Sequence, residues 1–537
     1  MDNEHHPPPN PTLEIYDTTL RDGSQQEGIS LTVSDKLRIA QLLDDLGVTY
    51  IEGGWPGALP KDDEFFALAS QRLDLRNAEL VAFGSTRRPG GSVDTDSQLR
   101  SLLEAGTETI CIVGKSWDYH VREALRADLD EGLRMIGESI EFLRSHGRRV
   151  FFDAEHFFDG FRTSPEFALA AARTAAEAGA DRVILCDTNG GTLPAQIVEV
   201  VGKVRAEIDA AVGVHFHNDA GCAVASSLAA LEAGAVQIQG CVNGYGERTG
   251  NADLCTIIPD LVLKMDRPVV SREQLEMLSP ISHHIAELVN ISLDPHRPYV
   301  GPSAFTHKAG LHTSALARRP DAYEHTDPAG VGNRTRMVVS EQAGRASVHN
   351  KAAELGLDVD DVTARKVLER VKELEHQGHH FEAADGSFEL LVREASGWRQ
   401  DFFTVESYRV NVERRAGEPV VAEATVKLMV GGERQVTTGE GDGPVNALDS
   451  ALRQALRPVF PQVADLRLTD YRVRVLDTTD GSGATVRVLL ETSNHTDTWG
   501  TIGVHENIID ASWQALSDGI VVGLLRSSAA QGLTPLG

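Results

Sequence analysis

Two histidines and one early aspartate have the residue types and the spacing of a divalent-metal site. The stretch from Val214 to His217 alternates apolar residues with histidines, which is typical of a half-buried strand. Side chains two apart on a strand project to the same side, so His215 and His217 would point to one spot. A carboxylate such as Asp22 is a common third ligand beside two imidazoles. Taken alone, the two histidines are equally well explained as hydrogen-bonded core residues.

The predicted ligand set is open and mixes nitrogen with oxygen. Asn251 offers a carbonyl oxygen as a further ligand beside Asp22, His215 and His217. Such a set suits Mg²⁺, Mn²⁺ or Zn²⁺, and the sequence does not choose among these metals. The remaining positions on the metal could bind a bidentate substrate such as a 2-oxo acid. The metal would then polarise the ketone as a Lewis acid.

Arg21 and Glu52 are the charged residues that we expect beside this metal site. Arg21 directly precedes Asp22, and Glu52 lies at the end of the next predicted strand. A guanidinium keeps its charge and can stabilise a developing oxyanion, while Glu52 could orient Arg21. For each residue singly, a structural salt bridge is as good an explanation as catalysis. Their shared position favours a catalytic role.

The elements that must position these residues are repeated βα units. Short apolar runs alternate with longer amphipathic segments from Leu13 to about Ile258. Eight such units over roughly 250 residues are typical of a (β/α)₈ TIM barrel. A doubly wound open sheet is the alternative, but no Gly-x-Gly-x-x-Gly follows the first strand. The predicted strands begin at Leu13, Tyr50, Leu80, Thr109, Val150, Arg182, Val212 and Val236. Predicted helices include Val33 to Leu46, Pro165 to Ala178, Pro194 to Ile208 and Ala223 to Ala233.

Polar residues collect at the ends of the predicted strands. Chemistry in a TIM barrel takes place at the carboxyl-terminal face of the strands, so this placement supports the barrel over the open sheet. The residues concerned are Arg21, Asp22, Glu52, Glu155, Asp187, Thr188, His215 and His217.

Composition and charge exclude several classes of protein. The net charge of −28 disfavours sequence-independent nucleic-acid binding, which needs clustered lysine and arginine. No apolar run approaches the roughly 18 residues of a membrane span, and the N-terminus lacks a signal-peptide pattern. Five cysteines without zinc-finger spacing fit a reducing compartment. We therefore predict a cytoplasmic protein.

The 537 residues are too many for one core, and the pattern changes along the chain. We predict a disordered leader at 1–11, a catalytic TIM barrel at 12–270, helical connector subdomains at 271–390 and a regulatory α+β domain at 395–537. Within the connector, Ser271 to Val289 is predicted to be one helix, and two more helices are expected between about Ala352 and Gln377.

The C-terminal region carries a weak internal repeat. Two groups of strand-like segments each lead into a helix, predicted at Pro444 to Leu456 and at Asn507 to Leu516. Duplicated βββα units of this size indicate a small-molecule sensing or dimerising domain. The alternative is an ordinary α+β domain with chance similarity.

Several discontinuous motifs resemble the signatures of the α-isopropylmalate and homocitrate synthase family. The motifs are Arg21–Gln25, His215–Asp219 and Gly244–Asn251, with Tyr16–Gly28 and Ile51–Gly57 as longer supporting segments. The resemblance covers nearly the whole chain, because the C-terminal repeat is similar to the family's regulatory domain. It implies a Claisen-type condensation of acetyl-CoA with a 2-oxo acid, followed by thioester hydrolysis.

The resemblance also implies roles for individual residues. Asp22, His215 and His217 match the metal ligands, and Asn251 matches a further polar ligand. Arg21 matches the arginine that polarises the keto oxygen.

Three further matches concern substrate binding and proton removal. Thr188 matches the threonine that holds the substrate carboxylate. Glu155 and His307 match the pair that deprotonates the acetyl methyl group. In this family the His307 loop reaches the active site of the partner subunit, and Tyr323 is similar to a tyrosine that also crosses over. The resemblance therefore implies a homodimer.

We predict pyruvate as the 2-oxo acid and isoleucine as the inhibitor that binds the C-terminal domain. A larger 2-oxo acid is the alternative on the same fold, decided by pocket residues such as Trp55 and Phe83. An acyl-CoA lyase or aldolase is a second alternative, disfavoured by the regulatory repeat. A metal-dependent sensor without catalysis is a third, disfavoured because every expected catalytic position is occupied.

Overall fold

The structure is a computed structural model that describes residues 13–307, 319–337, 345–414, 420–476, 484–494 and 497–530. The chain folds into two compact units. The first comprises Met1–Phe305 with Glu324–Arg334, and the second comprises Thr306–Tyr323 with Thr335–Gly537. The predicted leader at 1–11 lies outside the described residues.

Eight parallel strands form a closed barrel in the first unit. The first strand pairs with both the second and the eighth, with Asp17 opposite Gly240 at the closing seam. The predicted (β/α)₈ fold is therefore confirmed, and the open-sheet alternative is wrong. The strands are β1 (Glu14–Asp17), β2 (Tyr50–Gly54), β3 (Glu79–Ser85), β4 (Thr109–Lys115), β5 (Arg149–Glu155), β6 (Arg182–Asp187), β7 (Ala211–Phe216) and β8 (Gln237–Gly240).

Helices surround the barrel and bury one apolar face each against it. The first helix shows how the sequence sets such bounds: a capping box of Thr32 with Asp35 begins it, and Gly47 in the left-handed conformation ends it. The helices of the first unit are α1 (Val33–Leu46), α2 (Pro60–Arg72), α3 (Ser97–Glu104), α4 (Asp118–Glu123), α5 (Leu129–Ser145), α6 (Phe157–Thr163), α7 (Pro165–Glu177), α8 (Pro194–Glu207), α9 (Ala223–Glu232), α10 (Leu254–Leu263), α11 (Arg272–Leu275) and α12 (Leu278–Val289). Short 3₁₀ turns lie at Gly23–Gln25, Val93–Thr95, Val242–Gly244 and Pro328–Val331.

The single helix predicted from Ser271 to Val289 is wrong, because the structure has two helices there. A capping box at Ser271 begins the short helix α11, which ends at Leu275. Pro280 lies in the first turn of α12 and has no N–H to donate to the carbonyl four residues earlier. A proline is tolerated in a first turn but not inside a continuous helix, so the chain restarts at Leu278.

Two layers of apolar side chains build the barrel. A large cluster fills the space between the strands and the helices. A smaller cluster fills the barrel interior below the site and includes Tyr16, Tyr50, Phe83, Phe151 and Ile184. The inner cluster makes the lower barrel solid and leaves the strand ends as the open face.

The second unit combines connector helices with two antiparallel sheets. Each sheet has three strands and is followed by a helix, so the predicted duplication of βββα units is confirmed. The elements are β9 (Thr306–His307), β10 (Arg336–Met337), α13 (Arg345–Glu354), α14 (Asp361–His376), α15 (Asp385–Ala395), β11 (Phe403–Glu413), β12 (Val421–Val430), β13 (Glu433–Gly441), α16 (Pro444–Leu456), β14 (Arg467–Val475), β15 (Val486–Ser493), β16 (Thr498–His505) and α17 (Ile508–Ala530). Short 3₁₀ turns lie at Pro320–Ala322, Phe381–Ala383 and Pro461–Asp465.

The last helix is longer than the predicted segment from Asn507 to Leu516. It continues to Ala530 because Ile520, Val521 and Leu524 are buried and extend the apolar face. The window Ile508–Ser527 is long and apolar enough to cross a membrane, but 67% of it is buried inside the molecule. Such burial is typical of a helix that packs in the core of a folded domain.

Candidate active site

The structure brings the three predicted metal ligands together at the carboxyl-terminal end of the barrel. Asp22 lies in the turn after β1, His215 lies within β7, and His217 directly follows β7. Asp22 Oδ2 is 3.1 Å from His215 Nε2 and 3.7 Å from His217 Nε2. All three side chains are buried, and one potential ligand atom from each lies within 4.8 Å of the others. Their types, spacing and burial are those of a metal site.

The chemistry of these atoms fits a divalent cation. Burial is the largest influence on the Asp22 pKa and raises it, but Arg21, His215 and His217 lower the pKa well below its usual range. Burial and the neighbouring His215 lower the pKa of His217 to about 4, which favours the neutral ring that a metal needs. Burial lowers the pKa of His215, but the Asp22 carboxylate raises it above its ordinary value, and a bound cation would take the place of the proton that Asp22 favours there. A carboxylate and neutral imidazole nitrogens are acceptors, and a cation placed among them would satisfy them all.

Asn251, the predicted further ligand, has a side-chain oxygen that is available as an acceptor. Its Nδ2 donates to the carbonyl oxygen of Tyr245 at 3.0 Å, which fixes the amide. Its Oδ1 is buried and has no hydrogen-bond partner among the described residues. An isolated β-bridge pairs the backbone of Asn251 with that of His217. An orphaned carbonyl oxygen at this place fits the predicted fourth ligand.

Arg21 connects the metal ligands to Glu52. Its Nε donates to Glu52 Oε1 at 2.5 Å, and its Nη1 lies 3.6 Å from Asp22 Oδ2. The other carboxylate oxygen of Glu52 accepts a hydrogen bond from the Tyr16 hydroxyl at 2.6 Å. The guanidinium carbon lies 3.8 Å from the centre of the Phe83 ring. Two polar contacts and one aromatic face therefore hold the guanidinium in one orientation.

Glu155 and Thr188 stand on the far side of the same opening. Glu155 ends β5 and forms an ion pair with Lys115, which ends β4. The Thr188 hydroxyl accepts a hydrogen bond from the backbone N–H of His156 at 2.9 Å. This contact uses one lone pair of the oxygen, and the hydroxyl hydrogen remains available for donation to an anionic substrate group.

One cavity of about 440 Å³ opens onto most of these groups, but Glu52 and Asn251 are not among its lining residues. It lies at the strand ends, where TIM-barrel chemistry takes place. The predicted site residues among its lining are Arg21, Asp22, Trp55, Phe83, Glu155, Thr188, His215 and His217.

His307 and Tyr323 belong to the second unit, not to the barrel unit that carries this cavity. His307 ends β9, and Tyr323 follows the turn Pro320–Ala322. Their role in a partner's active site stays a prediction.

The sequence interpretation missed four polar residues that surround the site. Tyr16 supports Glu52, Lys115 pairs with Glu155, and Gln239 and Asp153 form a buried chain below His215. Asp153 left a visible signal, because it interrupts the apolar run of β5. The others make contacts between strands, which strand register decides and the sequence does not display.

A closed (β/α)₈ barrel with a buried carboxylate–imidazole cluster at its mouth defines a barrel enzyme. Comparison with known families agrees with that class. Residues 12–282 match the HMGL-like family model. Residues 299–379 match the homocitrate synthase post-HMGL domain-like model, and residues 382–523 match the LeuA allosteric (dimerisation) domain model.

Several curated relatives are similar over nearly the full length. An (R)-citramalate synthase of Streptomyces coelicolor is 54% identical over 97% of this chain and 98% of the relative. An (R)-citramalate synthase of Synechocystis is 52% identical over 96% of both chains. A probable 2-isopropylmalate synthase of Methanopyrus kandleri is 34% identical over 95% of this chain and 97% of the relative.

The chain belongs to the HMGL-like family and, within it, to the group of the (R)-citramalate synthases. It is an enzyme of the transferase type. The family resemblance predicted from the motifs is confirmed.

Proposed function

We propose that this enzyme condenses acetyl-CoA with pyruvate in a metal-dependent Claisen reaction and hydrolyses the thioester, giving (R)-citramalate and CoA for isoleucine biosynthesis. The observation that carries the proposal is one cavity lined by Asp22, both histidines and Arg21, with Glu52 buried behind Arg21 and paired with it. The full-length likeness to (R)-citramalate synthases supports pyruvate over a larger acid.

Substrate binding is assigned to Arg21, Thr188 and the metal site. The Thr188 hydroxyl donates to the carboxylate of pyruvate, and the Arg21 guanidinium lies against the keto oxygen. A divalent cation held by Asp22, His215, His217 and Asn251 would supply Lewis-acid polarisation of the ketone when bound. Together these groups offset the net negative charge of the protein, which otherwise repels an anionic substrate.

Carbon–carbon bond formation needs a base and a stabilised oxyanion. We assign proton removal from the acetyl methyl group to Glu155 with His307 of the partner subunit, in a homodimer. The methyl carbon then attacks the keto carbon, and Arg21 stabilises the alkoxide until it gains a proton. Water next adds to the thioester carbonyl, the C–S bond breaks, and CoA leaves as the thiol. Lys115, paired with Glu155, holds the carboxylate at the opening.

An aromatic wall beside Arg21 suits a small 2-oxo acid. The rings of Trp55 and Phe83 pack edge to face with centres 5.2 Å apart. Trp55 Nε1 donates to Gln98 Oε1 at 2.7 Å, which fixes the indole. The Phe83 ring lies 3.8 Å from the Arg21 guanidinium carbon, and we propose that this fixed wall accepts the methyl group of pyruvate and disfavours a branched side chain.

Shortening Phe83 should therefore relax the choice of acid. We expect Phe83→Leu and then Phe83→Ala to raise the kcat/KM ratio of 2-oxoisovalerate to pyruvate in steps, by about 10–200-fold in total. Competition between the two acids, with the products resolved by mass, measures the ratio. An unchanged ratio in Phe83→Ala would remove the aromatic wall from the specificity argument.

The reaction itself is tested by CoA thiol release with each 2-oxo acid in turn. We expect release with acetyl-CoA and pyruvate, and a product with the mass and chirality of (R)-citramalate. Preference for 2-oxoisovalerate would instead assign a 2-isopropylmalate synthase, an activity that the Methanopyrus relative's name raises. Cleavage of citramalate or of a 3-hydroxy-3-methyl acyl-CoA without condensation would overturn the synthase proposal in favour of a lyase.

We further propose that isoleucine inhibits the enzyme by binding the C-terminal βββα units. The match of residues 382–523 to an allosteric domain model supports regulation there. The full chain is the right material for the test, because Ser387 in α15 accepts a hydrogen bond from the Ile502 backbone and truncation after Ala395 would break that packing. Isoleucine should slow CoA release and raise the melting temperature, and leucine should do neither at equal concentration. No response to isoleucine would refute the assignment.

The cysteines support a cytoplasmic location for this enzyme. All five are free, and Cys111, Cys186, Cys241 and Cys255 are buried. Free buried thiols suit a reducing compartment.

A further inference from the structure

A chain of buried polar groups leads from the barrel interior to one predicted metal ligand. It runs from Asp153 on β5 to Gln239 on β8 and then to His215 on β7. Gln239 Nε2 donates to Asp153 Oδ1 at 3.2 Å, and Gln239 Oε1 lies 2.9 Å from His215 Nδ1. Their exposed fractions are 3%, 0% and 5%, so water does not compete for these contacts.

The carboxylate of Asp153 decides which way the Gln239 amide points. Asp153 Oδ1 also accepts a hydrogen bond from the Cys111 thiol at 3.2 Å, so this oxygen accepts from two donors. An amide turned the other way would place Oε1 against that oxygen, with two acceptors in contact. Asp153 therefore directs the NH₂ group toward itself and the amide oxygen toward His215.

The amide oxygen in turn decides which ring nitrogen of His215 carries the hydrogen. Gln239 Oε1 can only accept, so Nδ1 must be the donor. A bound cation would then meet the lone pair of Nε2, which is 3.1 Å from Asp22 Oδ2. The second histidine differs, because His217 Nδ1 is buried without a hydrogen-bond partner among the described residues.

The apolar surroundings of Asp153 and Gln239 make the burial of these two polar side chains unfavourable, which suggests that they serve the site. Tyr16, Phe151 and Ile184 fill the same interior layer with largely apolar surface. A buried carboxyl group and a buried amide in such a layer cost free energy that apolar residues would not. The contacts of the pair lead upward to His215, where a fixed tautomer strengthens a metal ligand.

We infer that Asp153, acting through Gln239, is a positioning residue that holds His215 in its Nδ1–H tautomer and so sets the affinity of the site for a divalent cation. The inference rests on the proposed metal site and adds two residues to it that are not among its proposed ligands.

The first test is the affinity for Mn²⁺ of metal-stripped full-length protein, measured by the loss of the free-ion EPR signal. Asp153→Asn keeps an acceptor oxygen, whereas Asp153→Leu has a similar size and none. We expect Asp153→Leu and Gln239→Leu each to weaken Mn²⁺ binding about 10–100-fold, and Asp153→Asn to stay near the unsubstituted protein. The double variant should be no weaker than the weaker single variant, because both changes cut one chain.

Cys111→Ala is the matched control, because it removes the other donor to Asp153 and leaves the route to His215 intact. Its Mn²⁺ affinity should change less than about twofold, well short of the loss expected on the route itself. Equal losses in Cys111→Ala and Asp153→Leu would overturn the inference, since they would reflect general damage to the interior. Unchanged affinity in Gln239→Leu would also overturn it.

A second measurement needs no substitution in the chain and stays valid if a leucine variant does not fold. Long-range ¹⁵N–¹H spectra of histidine-labelled protein report which ring nitrogen carries the hydrogen. We expect His215 to show the Nδ1–H form with Mg²⁺ bound, and the Nε2–H form under the same conditions would refute the inference. Failure of the unsubstituted protein to bind Mn²⁺ would overturn the metal site itself, which separates that failure from failure of the positioning role.

Discussion

Arg21 is the cationic side chain that interacts with the acidic groups of the site. Burial is the largest influence on its pKa and lowers it, but Glu52, Asp22 and Asp153 together raise the pKa above its ordinary value. The guanidinium therefore stays cationic in the buried site. Glu52 fixes its direction through a 2.5 Å contact with Nε. A lysine would keep the charge but lose this fixed geometry.

We expect Arg21→Lys to lower kcat about 10²–10³-fold, because a preorganised donor to the keto oxygen is lost. The affinity for Mn²⁺ should change little, since Arg21 is not a ligand. Steady-state kinetics with pyruvate and acetyl-CoA, beside a Mn²⁺ titration, measure both quantities.

Arg88→Lys is the control for that substitution. Arg88 lines the same cavity, but its backbone lies in an exposed loop. Its substitution should change kcat by less than about threefold, which is much less than the decrease expected when an oxyanion donor is lost. Equal losses for the two variants, or more than half of kcat retained in Arg21→Lys, would contradict the role given to Arg21.

At this scale the sequence was informative where residue type and position along one strand were enough. The spacing of His215 and His217 predicted that both would face one spot, and Asp22 lies there too. The sequence could not reveal Gln239 or Lys115, because their importance arises from pairing with neighbouring strands. His215 lies opposite Gln239 in the register of β7 with β8.

The turn between β5 and α6 is the element that joins the Glu155 side of the site to Thr188. His156 has the left-handed conformation there, with φ of 56°. Its backbone N–H supports the Thr188 hydroxyl, and its ring contacts Asp159, Trp117 and His120. A non-glycine residue in this conformation costs free energy, which the ring contacts offset.

Two substitutions of His156 separate the backbone from the ring. His156→Gly and His156→Ala both lose the ring contacts, but only glycine adopts the left-handed turn freely. We expect the free energy of unfolding of His156→Ala to be about 1–2 kcal/mol lower than that of His156→Gly. The KM for pyruvate should also be higher in His156→Ala than in His156→Gly. Chemical denaturation and pyruvate titrations compare the two. Equal stability and equal KM would mean that the left-handed turn does not position Thr188.

The third strand of each βββα unit carries a glycine where the next helix crosses it. A Cβ on Gly439 would lie 2.5 Å from the Ala451 backbone nitrogen, and a Cβ on Gly503 would overlap the Ala511 carbonyl oxygen. The close approach lets α16 and α17 lie directly on their sheets. The two βββα units therefore share both their strand order and this close contact between helix and sheet.

Gly503→Ala should destabilise the C-terminal units, because backbone atoms of α17 cannot yield as a flexible side chain would. We expect a cost of about 1–3 kcal/mol in chemical denaturation. Gly443→Ala is the matched control, since a Cβ there meets no atom within 4 Å. If both variants unfolded like the unsubstituted protein, the close helix–sheet contact would be refuted.

Element bounds were predictable where local signals end an element. Thr32 and Gly47 enclose α1, and the structure reproduces its predicted ends. Tertiary packing decided the end of helix α17, which continues past Leu516 because its apolar face packs on the sheet. The break in the helix predicted from Ser271 to Val289 was also a local signal, from Ser271 and Pro280, that the prediction overlooked.

For the whole molecule, each compact unit holds a buried carboxyl group whose pKa is raised. Burial raises the pKa of Asp17 to about 7 in the barrel unit. Burial, together with Glu394, raises the pKa of Asp518 to about 7 in the second unit, against a lowering hydrogen bond from Ser387. The folded form of each group holds its proton at a pH where the unfolded form has lost it. Both contributions therefore favour folding near pH 4 and weaken as the pH rises to 7.

Asp518→Asn should remove the contribution of Asp518 to the pH dependence of stability in the second unit. The amide stays neutral at every pH and keeps an acceptor for Ser387. We expect its melting temperature to exceed that of the unsubstituted protein at pH 8 and to approach it near pH 4. Thermal unfolding across this range measures the difference. A variant that is less stable than the unsubstituted protein at pH 8 would show that Asp518 is ionised and favourably bound.

The order of barrel, helices and duplicated C-terminal units was predictable from the changes of pattern along the chain. The boundaries at 270 and 395 stay predictions. Helix α15 illustrates the difficulty, because Ser387 and Phe388 pack with residues far along the chain, such as Ile502. Sequence pattern shows that a helix is amphipathic but not which neighbour covers its apolar face.

The central claim is that the cluster of Asp22, His215 and His217 holds a metal that is needed for condensation of acetyl-CoA with pyruvate. The most direct measurement is CoA thiol release with pyruvate by metal-stripped protein, before and after addition of Mn²⁺ or Mg²⁺. We expect no release without metal, restored release with it, and no restoration in His217→Ala. Full release by stripped protein, or by His217→Ala, would contradict the claim.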